Sequence, residues 1–435
     1  MTTSTAVEGT AAPVDEIEIR TVTEDDLGAW GSAVNVGFLR PGLPGASEYR
    51  RLRHFPGRTQ GAFDGERCVA TFRSMPYELT LPGGQLLPVS AITGVTVTQT
   101  HRRRGLLRRM MTNELAAASG RGEAVAILIA AEYNIYGRFG FGPATRTHGW
   151  RVDLRRAGGL RADLPTTDGD GATEPAPGRI DLVGMAELGK IGRELHERWR
   201  RGQPGAICRD DAHWGGLTGE APMPGSDWKE PFAVVHRDAG GTVTGLAVYR
   251  VDDTWVAGNP ECTLSVTDFL ALDRPTAVRL WRYLCSVDWV STLAVQNIAP
   301  DDPLPFYFRD PRAVRPGEHD ADFMWLRVLD VPAAFAPRRL AGAGRVVLEV
   351  TDPAGYAAGR WALSSDAEGT GRAERTTDRA DLALDARALG SLYLGAERAA
   401  RLAAAGLVEE LRPGAAFALD RLLGTPLKAW NPDSF

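Results

Sequence analysis

The sequence predicts two α/β units closed by a smaller α+β unit, and three observations carry that prediction. The 435-residue chain is too long for one ordinary core, so two or three domains are expected. Runs with strand-like alternation interleave with runs of helical period, the mark of sheets covered by helices. Two stretches punctuate the chain: a Gly-, Pro-, Asp- and Thr-rich segment at 157–178 and a Pro-rich crossing at 300–317. The division that follows is an extension at 1–14 expected to be disordered, a first domain at 15–156, a linker at 157–178, a second domain at 179–310 and a third at 320–435.

The elements follow in order. In 17-IEIRTVTEDDLGAW-30, alternating Ile17, Ile19 and Thr21 predict a strand, and Thr23 with Asp26 three residues on predicts a helix N-cap. The run 67–100 reads as a strand meander turned at Pro82–Gly84. From Gly105 the period becomes helical, with Leu106, Leu107, Met110, Met111 and Leu115 on one face, ending near Gly120–Gly122. A buried strand, 124-AVAILIAA-131, and a short loop-helix, 132–144, complete the first domain. The second repeats the theme with a helix at 187–201, a hairpin at 231–251, a strand at 262–273 and a helix at 275–288. The third opens near 322-DFMWLRVLDVPAAFAPR-338 and adds a strand at 345–352 and helices at 386–395 and 396–406.

Composition narrows the function classes. Hydrophobic residues at 43% and charged residues at 24% are globular averages, and the formal net charge is −5. A dedicated nucleic-acid binder is more often basic over a whole domain, so no nucleic-acid partner is expected. Cys68, Cys208, Cys262 and Cys285 form no CxxC pair, which removes zinc spacing and a disulfide framework; reduced, mostly buried thiols are expected. The first residues carry neither a basic n-region nor an apolar h-region, and the most apolar run is far below spanning length. A cytoplasmic protein with no membrane partner is the expectation.

The stretch 95-VTVTQTHRRRGLLRRMM-111 sets five arginines around Gly105, where a strand gives way to a helix. The first helical turn offers free backbone N–H groups and the positive end of the helix dipole. Gly105 permits close backbone approach, and flanking guanidinium groups add charge-assisted contacts, so the arrangement suits a pyrophosphate. A solvated helix start with basic residues is the plain alternative. The second domain has no counterpart of this Arg-Arg-Gly turn.

The segment 102-RRRGLL-107 resembles the RxxGxG/A acyl-CoA turn of the GCN5-related N-acetyltransferases (GNAT), with Leu107 replacing the last small residue. Together with 95-VTV-97, 100-THRRRGLLRRMM-111 and 135-IYGRFGFGPAT-145, it is similar to the Eis-type (enhanced intracellular survival) branch of actinobacteria. That resemblance implies tandem GNAT domains, the second degenerate, then a sterol-carrier-like domain ending in Phe435. It implies acetyl-CoA as co-substrate, no metal, a cationic amine acceptor such as an aminoglycoside, polyamine or lysine, and a homohexamer. Val95, Thr96 and Val97 would meet the pantetheine arm, Arg103, Arg104, Gly105, Leu106, Leu107 and Arg108 the pyrophosphate, and Ala131 and Glu132 the far wall. Tyr136 would be the general acid and the Phe435 carboxylate the general base.

These roles agree with elementary acid–base chemistry. An alkylamine is mostly protonated near neutrality and needs a base, a terminal carboxylate is ionised, and a tyrosine keeps its proton to give to a thiolate. Each has a plain rival: a packed aromatic for Tyr136, a frayed end for Phe435, a loop acid for Glu132. Asp25 and Asp26 are explained by a helix N-terminus. Ser434 stands where an acid would help bind a polyamine, and Gly94 leaves the pocket wall open. A lipid- or sterol-binding protein with vestigial transferase domains is the alternative, with 386–407 lining an apolar tunnel.

Overall fold

The computed structural model describes residues 17–42, 45–164 and 178–435. The extension expected over 1–14 and most of the linker expected over 157–178 lie outside them. The chain forms two compact units. The first combines residues up to Met75 with Ile92–Ala117 and Met223–Gly225; the second combines Pro76–Ala91, Ala118–Pro222 and Ser226–Phe435.

The first unit holds β1 (Glu18–Thr21), α1 (Leu27–Gly37), α2 (Ala46–Leu52), β2 (Thr59–Asp64), the start of β3 (Arg67–Thr80), the end of β4 (Leu86–Val97) and most of α3 (Leu106–Gly120). Its strands neighbour one another in the order β1-β2-β3-β4. Val22, Leu27, Trp30, Phe63 and Cys68 pack as one buried cluster. On α3, Leu106, Met110, Met111 and Leu115 are buried as the period predicts, whereas Leu107 is only half-buried. Thr23 does not cap α1, which starts one turn later at Leu27. Asp26 explains the shift. Its carboxylate accepts the Thr23 N–H at 2.9 Å and the Arg20 guanidinium at 2.8 Å, holding a turn ahead of the helix.

The second unit continues with β5 (Val125–Ile129), α4 (Tyr133–Tyr136), β6 (Gly142–Pro143), β7 (Arg146–Asp153) and α5 (Leu154–Ala157). After the undescribed stretch come β8 (Arg179–Leu182), α6 (Met185–Arg200), α7 (Asp211–Thr218), β9 (Phe232–Arg237) and β10 (Val243–Val251). A small hairpin, β11 (Trp255–Val256) and β12 (Asn259–Pro260), leads to β13 (Cys262–Ala271), α8 (Arg274–Leu284), β14 (Val290–Ile298) and α9 (Leu304–Tyr307). Then follow β15 (Val314–Asp322) and β16 (Met324–Val328).

A seven-stranded sheet runs β15-β7-β14-β13-β10-β9-β8. Within it β13 and β14 are parallel and the other pairs antiparallel. Val152, Leu264, Trp281, Leu293 and Phe308 fill one face, and Leu188, Leu195 and Leu246 under α6 fill the other. Two strands lie where a linear reading does not put them. β7 precedes the linker yet pairs with β14 and β15. β16 follows the Pro-rich crossing yet pairs antiparallel with both β5 and β6.

The third domain contains α10 (Val331–Phe335), β17 (Gly344–Thr351), β18 (Gly359–Ser365), β19 (Gly371–Arg375), β20 (Leu382–Asp385), α11 (Ala386–Tyr393), α12 (Ala399–Ala404), β21 (Val408–Glu410) and α13 (Ala415–Leu423). Its sheet runs β19-β18-β17-β20-β21, with β17 and β20 parallel. Of the run offered above as a tunnel wall, the first helix is taken up by packing. α11 is buried along most of its length and lies on β16 and β6, so closely that a Cβ on Gly390 would stand 2.1 Å from the Leu326 carbonyl oxygen. Buried Arg338 donates to the carbonyls of Tyr393 at 2.6 Å and Leu423 at 2.7 Å, closing the C-terminal ends of α11 and α13.

Candidate active site

In the first unit the end of β4 is bent at Gly94, whose φ of 61° is left-handed, a conformation that glycine adopts without a Cβ penalty. The Thr71 hydroxyl fixes the bend by meeting the Gly94 carbonyl at 2.7 Å and the Thr96 hydroxyl at 2.7 Å. Thr96 is buried against Gly37, where any Cβ would approach the Thr96 Cβ to 2.3 Å. Strand alternation then turns the half-buried Val95 and Val97 to the opposite face.

After β4 the chain makes a short turn over Gln99–His101, with His101 buried and its Nε2 3.2 Å from Asp64. Arg103 has a φ of 64° and Gly105 one of 75°, so two left-handed residues bracket Arg104. α3 begins at Leu106, and the Arg109 N–H reaches the Gly105 carbonyl at 3.0 Å. The N–H groups of Leu106, Leu107 and Arg108 precede that bond and have no place in the helical ladder. A Cβ on Gly105 would meet only the Arg108 guanidinium, at 3.7 Å, so the positive φ is what calls for glycine here. Among the described residues the side chains of Arg102, Arg103, Arg104 and Arg108 form no hydrogen bond or ion pair, whereas that of Arg109 points to the Ile17 carbonyl. Four unpaired guanidinium groups beside free N–H donors have the chemistry to hold an anion.

In the second unit Ala131 and Glu132 are exposed at the end of β5, and Glu132 leads into α4. That one-turn helix is braced by Arg387 of α11, whose guanidinium donates to the Tyr133 hydroxyl at 2.6 Å. Tyr136 is 8% exposed and its ring meets Phe141 edge-on, which grants the plain expectation of a packed aromatic for the ring. Its hydroxyl nevertheless has no hydrogen-bond partner among the described residues. Burial, reinforced by the nearby Glu132 charge, pushes this phenol up to about 12. It stays protonated and free to donate.

Phe435 does not fray. Its ring packs edge-on against Tyr77 at 5.9 Å, and the Tyr77 hydroxyl donates to Asp210 at 2.7 Å. Behind it the tail is fixed: Ala429, Trp430, Asn431 and Asp433 are buried. Asp433 accepts from the Arg209 guanidinium at 2.9 Å, and the same guanidinium donates to Asp268 at 2.8 Å. Burial alone would raise the Asp433 carboxyl, but the Arg209 charge outweighs it and holds the group well below the carboxylate range. His213 nearby is pushed down to about 4 by burial and by Arg209. Sequence reasoning missed this cluster because Arg209, Asp268 and Asp433 are scattered along the chain. The one local signal was 431-NPD-433, a turn-forming sequence in which Asp433 N–H donates to the Asn431 side chain at 3.1 Å. Tyr136 and Phe435 form no hydrogen bond with each other.

Comparison with known proteins gives these features a family. Residues 18–144 match an acetyltransferase (GNAT) domain, 205–328 a second acetyltransferase (GNAT) domain, and 331–432 a sterol carrier protein domain. An uncharacterized N-acetyltransferase of Streptomyces griseus is 48% identical over 425 residues, covering 96% of this chain and 100% of the relative. The N-acetyltransferase Eis of Mycobacterium tuberculosis is 37% identical over 349 residues, 79% of this chain and 80% of the relative. The crystal structure of Eis1 from Mycobacterium abscessus superposes with a TM-score of 0.82 at 32% identity, covering 96% of this chain and all of that one. The chain therefore belongs to the GCN5-related N-acetyltransferases, in their Eis-type branch, and is an acetyltransferase built of two GNAT domains and a sterol-carrier-like domain.

Proposed function

We propose that this protein moves an acetyl group from acetyl-CoA to the neutral amine of a cationic acceptor. The observation that carries the reading is the turn at Arg102–Arg108: four guanidinium groups without partners beside the free N–H groups of α3, in a chain of net charge −5. Arg103, Arg104, Gly105, Leu106, Leu107 and Arg108 would hold the pyrophosphate. Val95, Thr96 and Val97, on the strand bent at Gly94, would face the pantetheine arm, with Ala131 and Glu132 on the other side. Bound acetyl-CoA supplies an activated thioester; the remaining chemistry belongs to the chain. The Phe435 carboxylate takes the proton that the attacking nitrogen loses as the C–N bond forms. Tyr136 gives its proton to the thiolate sulfur as the C–S bond breaks, and its raised pKa keeps that proton in place.

The acceptor class follows from the same resemblance: an aminoglycoside, a polyamine or a lysine side chain. Ser434 and the buried, Arg209-paired Asp433 leave no acidic side chain from the last two positions before Phe435 to attract a polyamine. An aminoglycoside is a polycation too and loses the same attraction, so acetyl transfer itself stands ahead of strong activity on aminoglycosides. A homohexamer in the cytoplasm belongs to this reading, and a monomeric mass in sedimentation equilibrium would remove the hexamer.

Thiol release from acetyl-CoA against a panel of aminoglycosides, polyamines and lysine peptides tests the proposal. Tyr136→Phe should lower kcat about a hundredfold or more at unchanged KM for acetyl-CoA. Its fold should persist, because the hydroxyl has no protein partner to lose. Below the phenol's pKa of about 12 the wild-type rate should show no alkaline fall from this group. Absence of thiol release with every amine would overturn the reading.

A further inference from the structure

The two parallel strands of the middle sheet part company. β13 and β14 pair from Cys262↔Val290 to Val266↔Val295, and no further. Beyond that point β13 stays with β10, through Asp268↔Val248 to Ala271↔Gly245, while β14 stays with β7, through Ile298↔His148. A crevice opens between them at their carboxyl ends, as it does between diverging parallel strands of α/β sheets, where ligands bind. A cavity of about 1350 Å³ lies there, lined by Thr267 and Asp268 from one lip and by Gln296 and Asn297 from the other. It is also lined by Trp430, Pro432, Asp433 and Ser434 of the chain's own tail.

The tail bridges the two lips through dedicated contacts. On the β13 side, Arg209 lies between Asp268 and Asp433 with bidentate geometry to each. All three side chains are almost fully buried. On the β14 side, the Asn297 amide makes three hydrogen bonds. Its oxygen accepts from the Trp430 indole at 2.9 Å and from the Thr147 hydroxyl at 2.7 Å. Its nitrogen donates to the Pro432 carbonyl at 2.8 Å. Further back, Gln203 donates to the Lys428 carbonyl and the Trp430 N–H donates to the Pro204 carbonyl. Buried charges persist only where they are paired, and a buried amide only where it is satisfied. Without the tail, Asn297 would lose two of its three partners and Arg209 one of its two carboxylates.

We propose that this crevice is a built receptor for residues 428–434, and that Arg209 and Asn297 are positioning residues that set where the Phe435 end lies. The middle GNAT domain has turned the ligand crevice of its sheet into a seat for the chain's own segment. The seat stands on geometry alone, whereas its consequence for catalysis rests on the terminal-carboxylate reading above.

Hydrogen exchange of peptides covering 428–435 in the full chain, read beside steady-state kinetics, tests this with two variants. Asp433→Asn removes the charge from the β13 side at constant shape, and Asn297→Ala cuts the β14 side should the first fail to fold. Each should speed tail exchange about tenfold or more while β17 and β18 keep their protection. kcat should fall about a hundredfold with the KM for acetyl-CoA nearly constant, because the base is displaced while the pyrophosphate turn is untouched. Tail exchange unchanged in both variants would overturn the receptor. A loosened tail with full turnover would keep the receptor and overturn the terminal-carboxylate reading instead.

Discussion

Arg103 holds a left-handed backbone that costs a non-glycine residue about 1 kcal/mol, and it does so at an exposed turn with no side-chain hydrogen bond or ion pair in return. Such strain is retained where a ligand uses the side chain. Arg103→Gly should therefore leave the melting temperature level or higher while raising the KM for acetyl-CoA about tenfold; an unchanged KM would assign the strain to something else. Asp302 behaves differently. Burial, with the Asp301 charge beside it, pushes its carboxyl up to about 6, so it contributes stability that is complete below the unfolded carboxylate range and is lost as pH rises through 6. Asp302→Asn should remove the part of the fall in melting temperature between about pH 4 and pH 6.5 that belongs to this group. The Leu304 N–H, which meets Asp302 at 2.8 Å, keeps an acceptor. At this scale the pyrophosphate turn was legible because its residues are contiguous and its chemistry is carried by the backbone. Arg209 and Asp433 were not, because 224 positions of sequence separate the two ends of one ion pair.

Among elements, pattern located α3, β5, α6 and α8 well, since each helix buries one face and β5 is an apolar run buried on both. The start of α1 was misplaced by a turn because Asp26, which looked like the far half of a capping box, is captured by Arg20. The packing of α11 on β16 was not legible in the sequence, because a contact in which Gly390 lets backbone lie on backbone leaves no apolar period to read. Arg338 joins α11 and α13 by donating to their last carbonyls, and its own release from water is costly enough to pull its pKa down to about 10. Arg338→Met would leave those carbonyls buried without donors. It should cost about 3–5 kcal/mol, seen as an early melting transition or faster exchange in β17–β21.

For the whole molecule, the tandem plan was legible from composition breaks and repeated element order, but the exchange of strands between sheets was not. Nothing in 324-MWLRV-328 marks it as the partner of a strand nearly two hundred residues earlier. Its burial on both sides would suit any central strand. The consequence is testable by excision. Residues 18–144 expressed alone keep the whole matched GNAT segment yet lack β16, leaving the largely buried β5 an open edge on that side. They should show no cooperative melt by circular dichroism, and a sharp transition would mean that β16 is dispensable.

The burial of the cysteines has a practical corollary. Cys68 is pushed up to about 11 and Cys285 to about 12, the half-buried Cys208 is raised as well, all three by burial, and Cys262 is buried. A thiolate-selective chromogenic reagent added at neutral pH therefore meets a nearly silent protein background. Colour that develops during turnover reports the liberated coenzyme, so slow acceptors in the amine panel become measurable at high enzyme concentration.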